Sequence, residues 1–191
     1  MKISIFVGDI ADADAEAVCT STNPRLSLMM GTGASIRERG GFEILRACEK
    51  IVATAAAAPG SAHATTAGRL PHKIAIHCVA SDSAHRSSED LVRLCVGNAL
   101  ACADRSDCAS VAMPVFGSGH ARVRFERAVT VMAETFRDAP TAVRHVVLVI
   151  HDPERVEEAR AILQQVLGTA VTISRSENEP ESFAGSWLDD E

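Results

Sequence analysis

The sequence lacks the features that would place this protein in a membrane or outside the cell. No apolar run approaches the length needed to span a bilayer, and the start of the chain, where Lys2 precedes the strand-like ISIFV, does not resemble a secretory signal. The six cysteines include no CxxC and no paired spacing, and most lie in apolar periodic segments, which indicates reduced core thiols. We therefore expect a protein of the reducing cytoplasm.

Excess positive charge is also missing. The 19 Lys and Arg residues are outnumbered by 25 Asp and Glu residues, for a net charge of -6, which argues against a broad nucleic-acid-binding surface. A small phosphorylated ligand is not excluded, because backbone amides bind phosphate without basic side chains. With 191 residues, 47% of them hydrophobic, the chain can bury the core of one domain.

Predicted strands and helices alternate along most of the chain, and no internal repeat interrupts them. Strands are predicted at 2–7, 17–20, 73–79, 110–113 and 143–150, and helices at 36–54, 88–104, 125–137 and 153–167. The first helix contains Gly40-Gly41, which can split it, Ser88 is a candidate N-cap, and Gly168 stops the last helix. This alternation predicts a three-layer α/β/α domain.

The composition changes after Gly168. Residues 169–174 can add an edge strand, whereas residues 175–191 are polar and acidic. This tail is either a flexible appendix or a docking motif in which Trp187-Leu188 meets a partner protein.

Two glycine-bearing segments, 31–36 (GTGASI) and 115–120 (VFGSGH), each lie between a predicted strand and a predicted helix. A glycine loop that opens a helix presents free backbone N–H groups at the positive end of the helix dipole, which suits an anion such as phosphate. The alternative is ordinary turn chemistry.

Four predicted strand ends carry polar or glycine-rich sequence: Gly8-Asp9-Ile10, Ser21-Thr22-Asn23-Pro24, 114–120 and His151-Asp152. In an open α/β sheet, ligands bind in the crevice at the carboxyl ends of the strands. Two amide cradles in that crevice could hold a diphosphate from both sides.

These segments resemble the macrodomain family, the ADP-ribose-binding module. The resemblance covers residues 1–168 and rests on GDI at Gly8, TNP around Asn23, GTGASI followed by Gly40-Gly41, GRLPHKIAIHCV at Gly68 and MPVFGSG at Met113. It implies an α/β fold, a three-layer α/β/α macrodomain with a central mixed sheet, followed by an acidic tail at 169–191. The implied partner is ADP-ribose or an ADP-ribosylated macromolecule, with no metal and no other cofactor.

The resemblance also implies roles for single residues. Asp9 would accept a hydrogen bond from the adenine amine beside the Ile10 N–H, and Asn23 would hold the distal ribose, although both types are also common in turns. One phosphate and the distal ribose would lie on Gly31, Thr32, Gly33, Ala34 and Ser35. The diphosphate would lie on Val115, Phe116, Gly117, Ser118, Gly119 and His120. His151 would stack on adenine or remain a solvated loop residue.

In the best-known hydrolytic subgroup of the family, the first glycine loop carries an Asp, and Gly33 stands at that position here. No acidic residue lies between Asn23 and Glu38, so this loop offers no general base. Recognition is therefore favoured over turnover. The alternative is an ADP-ribosyl or O-acetyl-ADP-ribose hydrolase that uses His120, Asn23 or the phosphate of its own ligand. A third hypothesis is an adaptor whose tail binds another protein.

Overall fold

The computed structural model describes residues 1–54, 57–119 and 123–176. Its strands and helices are, in chain order, β1 (Lys2–Val7), β2 (Ala17–Thr22), α1 (Gly31–Gly40), α2 (Phe42–Thr54), β3 (Ala62–Thr66), β4 (Ile74–Val79), α3 (Glu89–Arg105), β5 (Ser110–Pro114), α4 (Phe125–Asp138), β6 (His145–Ile150), α5 (Val156–Leu167) and β7 (Thr172–Arg175). The predictions for His120 and for Trp187-Leu188 lie outside the described residues.

One seven-stranded sheet organises the fold, with the strand order β3-β4-β2-β5-β6-β1-β7. The edge strand β3 runs antiparallel to β4, and all other neighbours are parallel, so the sheet is mixed. Because neighbouring parallel strands point the same way, the segments that follow β1, β2, β4, β5 and β6 meet at one edge of the sheet.

Helices cover both faces of the sheet and give the three layers expected from the sequence. Strand side chains alternate between the faces: Ile3, Ile5 and Val7 of β1 pack towards α3, α4 and α5, whereas Phe6 packs towards α1 and α2. All six cysteines are buried and free, as predicted for core thiols.

The first helical segment differs from its prediction. The helix expected to begin at Ile36 begins at Gly31, so the first glycine segment is the opening turn of α1 rather than a loop. The split at Gly40-Gly41 is confirmed, because Gly41 takes a positive φ of 96° and ends α1 with its N–H bonded to the Arg37 carbonyl.

Local signals set the other helix ends. The Ser88 side chain accepts a hydrogen bond from the Leu91 N–H and caps α3, and Gly168 ends α5 in the left-handed conformation, both as predicted. The edge strand β7 pairs with β1 and extends the sheet to Arg175. Within the described residues, no helix is both long and apolar enough to span a membrane.

Candidate functional site

A cleft of about 760 Å³ opens at the edge of the sheet where the carboxyl ends of the parallel strands meet. This volume lies within the range of small-molecule sites. The cleft is lined by Gly8, Asp9, Ile10, Ser21, Thr22, Asn23, Ser27, Met29, Met30, Gly31, Thr32, Ser35, Ser81, His85, Pro114, Val115, Gly117, Ser118, Gly119, Phe125, Val149, Ile150, His151, Asp152 and Arg155.

Asp9 lies where β1 ends, next to the end of β6. Its Oδ1 accepts hydrogen bonds from the Ala11 N–H at 2.8 Å and from the Ser35 hydroxyl, so Asp9 caps the 3-10 turn Ile10–Asp12 and ties it to α1. The other oxygen, Oδ2, accepts no hydrogen bond from the described part of the chain. Asp9 is therefore both a turn residue and a half-buried acceptor at the cleft wall.

The opening turn of α1 presents unpaired amides. By helix geometry the first N–H groups have no intrahelical acceptor, and those of Gly31, Thr32 and Gly33 donate no hydrogen bond within the described chain. The N-cap residue, Met30, makes no side-chain hydrogen bond to them. Unpaired amides at the positive end of a helix dipole have the geometry and the charge that suit an anion.

The segment after β5 presents a second set of amides. Gly117 has a positive φ of 74°, and a Cβ there would lie 2.9 Å from the Ser87 hydroxyl, so a side chain would be strained and crowded. The N–H groups of Gly117, Ser118 and Gly119 have no acceptor among the described residues. The Ser118 hydroxyl donates to the Val115 carbonyl at 2.9 Å, which stabilises the turn.

Polar groups follow β2 and β4 at the other end of the cleft from Asp9. The Asn23 Oδ1 accepts the Arg25 N–H at 3.0 Å, which leaves the amide group of Asn23 free to donate. His85 follows β4 and takes a left-handed backbone conformation with φ 57°. The Asp82 carboxylate stabilises this turn by accepting hydrogen bonds from the Ala84 and Arg86 N–H groups. These hydrogen bonds, that of the Arg86 N–H above all, lower the pKa of Asp82.

The wall near Asp9 is completed by residues at the starts of α4 and α5. His151 is exposed at the end of β6, and Asp152 caps the turn Pro153–Arg155 by accepting the Glu154 N–H at 3.0 Å. The Arg155 guanidinium carbon lies 5.2 Å from the centroid of the Phe125 ring, which is cation–π geometry.

Most of the predicted site residues that the structure describes come together in this cleft, but three of these do not line it. Gly33 is buried against Leu28, where a Cβ would lie 3.0 Å from the Leu28 Cα, and Ala34 follows it along the helix. Phe116 is fully buried in the core beneath the second glycine segment. Gly33 and Phe116 do not line the cleft because both are packed against the interior of the protein.

Several lining residues were not predicted from the sequence, chiefly Met29, Met30, His85, Phe125 and Arg155. Phe125 and Arg155 could have been inferred from position, because helices that follow parallel strands begin at the same edge of the sheet where those strands end. His85 has no comparable local signal, since its placement depends on a turn built by Asp82.

The class of protein follows from comparison with known proteins. The Macro domain family model matches residues 19–132. An uncharacterized protein of Aquifex aeolicus is 35% identical over 85% of this chain and 98% of its own length. A macro domain-containing protein of Streptomyces nogalater is 32% identical over 78% of this chain and 85% of its own length.

Solved structures share the fold. An Oceanobacillus iheyensis macrodomain variant, described with ADPR, superposes with a TM-score of 0.72 at 22% identity and covers 86% of this chain and 90% of its own. A Trypanosoma brucei macrodomain in complex with ADP-ribose gives 0.73 at 17% identity and covers 87% of this chain and 69% of its own. This chain belongs to the macro domain family.

Proposed function

We propose that this protein binds ADP-ribose, free or attached to a macromolecule, in the cleft at the carboxyl edge of its sheet. The observation that carries the proposal is that two sets of unpaired backbone amides, 31–33 and 117–119, belong to segments that line one cleft. Such amides suit a diphosphate, because they supply N–H donors without a basic side chain. The similar macrodomains described with ADPR and ADP-ribose support this ligand class.

The ends of the cleft differ in chemistry, which supports one orientation of the ligand. The free oxygen of Asp9 can only accept a hydrogen bond, so it suits the amino group of adenine and disfavours the carbonyl of guanine. Asn23 can donate and accept at once, which suits the hydroxyls of the distal ribose. The orientation thus places adenine near β1 and β6, and the distal ribose near β2.

Recognition fits the residues of the cleft better than turnover. The only described carboxylates that line it are Asp9 and Asp152, and each already caps a short turn. Neither belongs to the opening turn of α1 or follows β2, where the distal ribose would lie. A general base must reach its proton directly or through one water, and no described carboxylate is positioned for that task.

Calorimetry with ADP-ribose, AMP and GDP-ribose tests the proposal. We expect ADP-ribose to bind more tightly than AMP, which lacks the second phosphate and the distal ribose, and more tightly than GDP-ribose, which offers Asp9 a carbonyl. Equal affinity for the three ligands would contradict the proposal. Incubation with mono-ADP-ribosylated protein and with O-acetyl-ADP-ribose tests turnover, and product above the blank would favour the hydrolase alternative.

A further inference from the structure

We propose that Arg155, held against Phe125, is the platform on which the base of the ligand stacks, and that it makes the site prefer a purine to a pyrimidine. This inference rests on the proposed function and assigns a specificity-determining role within the same cleft. Arg155 discriminates between bases by their stacking area, whereas Asp9 discriminates between them by the amino group that they carry.

The platform is assembled from two helix starts that are distant in sequence. Phe125 is the first residue of α4, and Arg155 immediately precedes α5. Both line the cleft, together with Asp9 and His151, at the end assigned to adenine. The guanidinium carbon lies 5.2 Å from the Phe125 ring centroid, so the aromatic ring supports the arginine beside the ligand space.

A second contact fixes the arginine. The Arg155 Nη1 donates to the Glu158 Oε2 at 3.0 Å, within the first turn of α5. One contact to a ring and another to a carboxylate hold the planar guanidinium beside the cleft. Less conformational freedom is then lost when a base stacks on it, which favours binding.

The charges around Arg155 favour stacking over phosphate binding. The hydrogen bond to Glu158 is the main cause of the raised pKa of Arg155, and the charges of Asp152 and Glu126 act in the same direction. The guanidinium keeps its charge, but Glu158 already occupies one of its N–H donors, and the negative charges of Glu158, Asp152 and Glu126 around it repel a phosphate. Its delocalised face remains suited to a base, since arginine stacks on aromatic surfaces.

Cytosine separates this role from that of Asp9, because adenine and cytosine both carry an exocyclic amino group that a carboxylate can accept. ADP-ribose and CDP-ribose also share the diphosphate and the distal ribose. The change in the ratio of their affinities when Arg155 is substituted therefore reports mainly the area of the base that stacks.

The test is calorimetry of ADP-ribose and CDP-ribose with the wild type, Arg155→Ala and Arg155→Lys. We expect the wild type to prefer ADP-ribose, and Arg155→Ala to weaken ADP-ribose binding about tenfold with a much smaller effect on CDP-ribose. Arg155→Lys keeps the charge but lacks the plane, so it should behave like Arg155→Ala.

Arg160→Ala is the matched control, because Arg160 is also paired with a glutamate on α5 but does not line the cleft. It should leave both affinities unchanged. Equal weakening of the two ligands by Arg155→Ala, or full affinity in Arg155→Lys, would overturn the platform and assign Arg155 a purely electrostatic role. If the wild type binds neither ligand, the proposed function is overturned, and this inference with it.

Discussion

Met30 stands at the N-cap position of α1, where Ser, Thr, Asp and Asn are usual because their side-chain oxygens accept a first-turn N–H. The thioether of methionine is a weak acceptor, and Met30 makes no such bond. Because 60% of the Met30 surface is exposed, packing does not account for its presence. An oxygen-bearing cap would occupy the amides of Thr32 or Gly33. Because Met30 makes no capping bond, those donors stay available.

Met30→Ser should therefore change stability and affinity in opposite directions. The serine oxygen can accept a first-turn N–H, which is worth about 1 kcal/mol and should raise the melting temperature of the ligand-free protein by about 2–4 °C. Binding of ADP-ribose would have to break that bond, so affinity should fall about fivefold. Thermal melts and calorimetry measure the two effects.

Met30→Ala is the control for the loss of the methionine side chain, because alanine also cannot cap. It should leave the melting temperature close to the wild-type value, and its affinity is the reference from which the effect of the serine oxygen is measured. A serine variant that gains stability and keeps full affinity would show that the opening turn of α1 does not contact the ligand.

Asp9→Asn separates the two roles of Asp9. The asparagine oxygen can still accept the Ala11 N–H, so the 3-10 turn should persist and the melting temperature should change little. The amide can donate as well as accept, so the preference for ADP-ribose over GDP-ribose should decrease. Thermal-shift series with both ligands measure this, since a ligand that binds the folded state raises stability. An unchanged preference would remove Asp9 from base recognition.

At the scale of secondary structure elements, Gly40 and Gly68 allow the end of α1 to lie close to the turn that precedes β4. Gly68 has a φ of 61°, and a Cβ there would lie 2.1 Å from the Gly40 carbonyl oxygen. The Arg69 N–H donates to that same carbonyl at 2.9 Å. This contact ties the end of α1 to the turn that precedes β4.

Gly68→Ala should lower the free energy of unfolding by about 3 kcal/mol or more, because it adds left-handed strain and a clash with backbone. Gly97→Ala is the control, since Gly97 lies within α3 and a Cβ there meets nothing within 4 Å. Alanine at that position should stabilise the protein by about 0.5–1 kcal/mol. Urea unfolding measures both, and equal effects would contradict the assignment of the clash.

Most predicted strands and helices agree with the structure because the sequence signals that mark them are local. Period-two and helical patterns, Ser88 and Gly168 mark their elements without reference to the rest of the chain. The opening turn of α1 was predicted as a loop because glycine disfavours helices. Its helical state depends on tertiary packing, in which Gly33 lies against Leu28 and Ile36 is fully buried.

At the scale of the whole molecule, buried histidine couples stability to pH. His77 is fully buried, its Nε2 pairs with the Thr65 hydroxyl at 2.8 Å, and its Nδ1 has no partner among the described residues. Burial, assisted by the charge of His63, lowers the pKa of His77 to about 4. The pKa of an unfolded histidine is about 6.5, so between these values the unfolded chain binds the proton that the folded protein excludes.

The free energy of unfolding should consequently fall as the pH decreases from about 6.5 to about 4, with up to about 3 kcal/mol due to His77. Urea unfolding at pH 7.5, 6 and 5 measures this slope, and His77→Gln should reduce it. His151→Gln, at an exposed residue, should not. Burial also lowers the pKa values of His63 and His145, so some slope should persist in the His77 variant. A full slope in His77→Gln would contradict the burial of a neutral imidazole.

The sequence by itself determined the alternation of strands and helices, the glycine segments and polar strand ends, and a resemblance specific enough to identify the family. These properties depend on periodicity, turn chemistry and short motifs, which neighbouring residues carry. Only the tertiary structure decided that Gly33 and Phe116 pack inward, that Met30 leaves a helix start uncapped, and that Phe125 supports Arg155. The physical reason is that these relations join segments brought together by sheet order and side-chain packing, to which no local pattern refers.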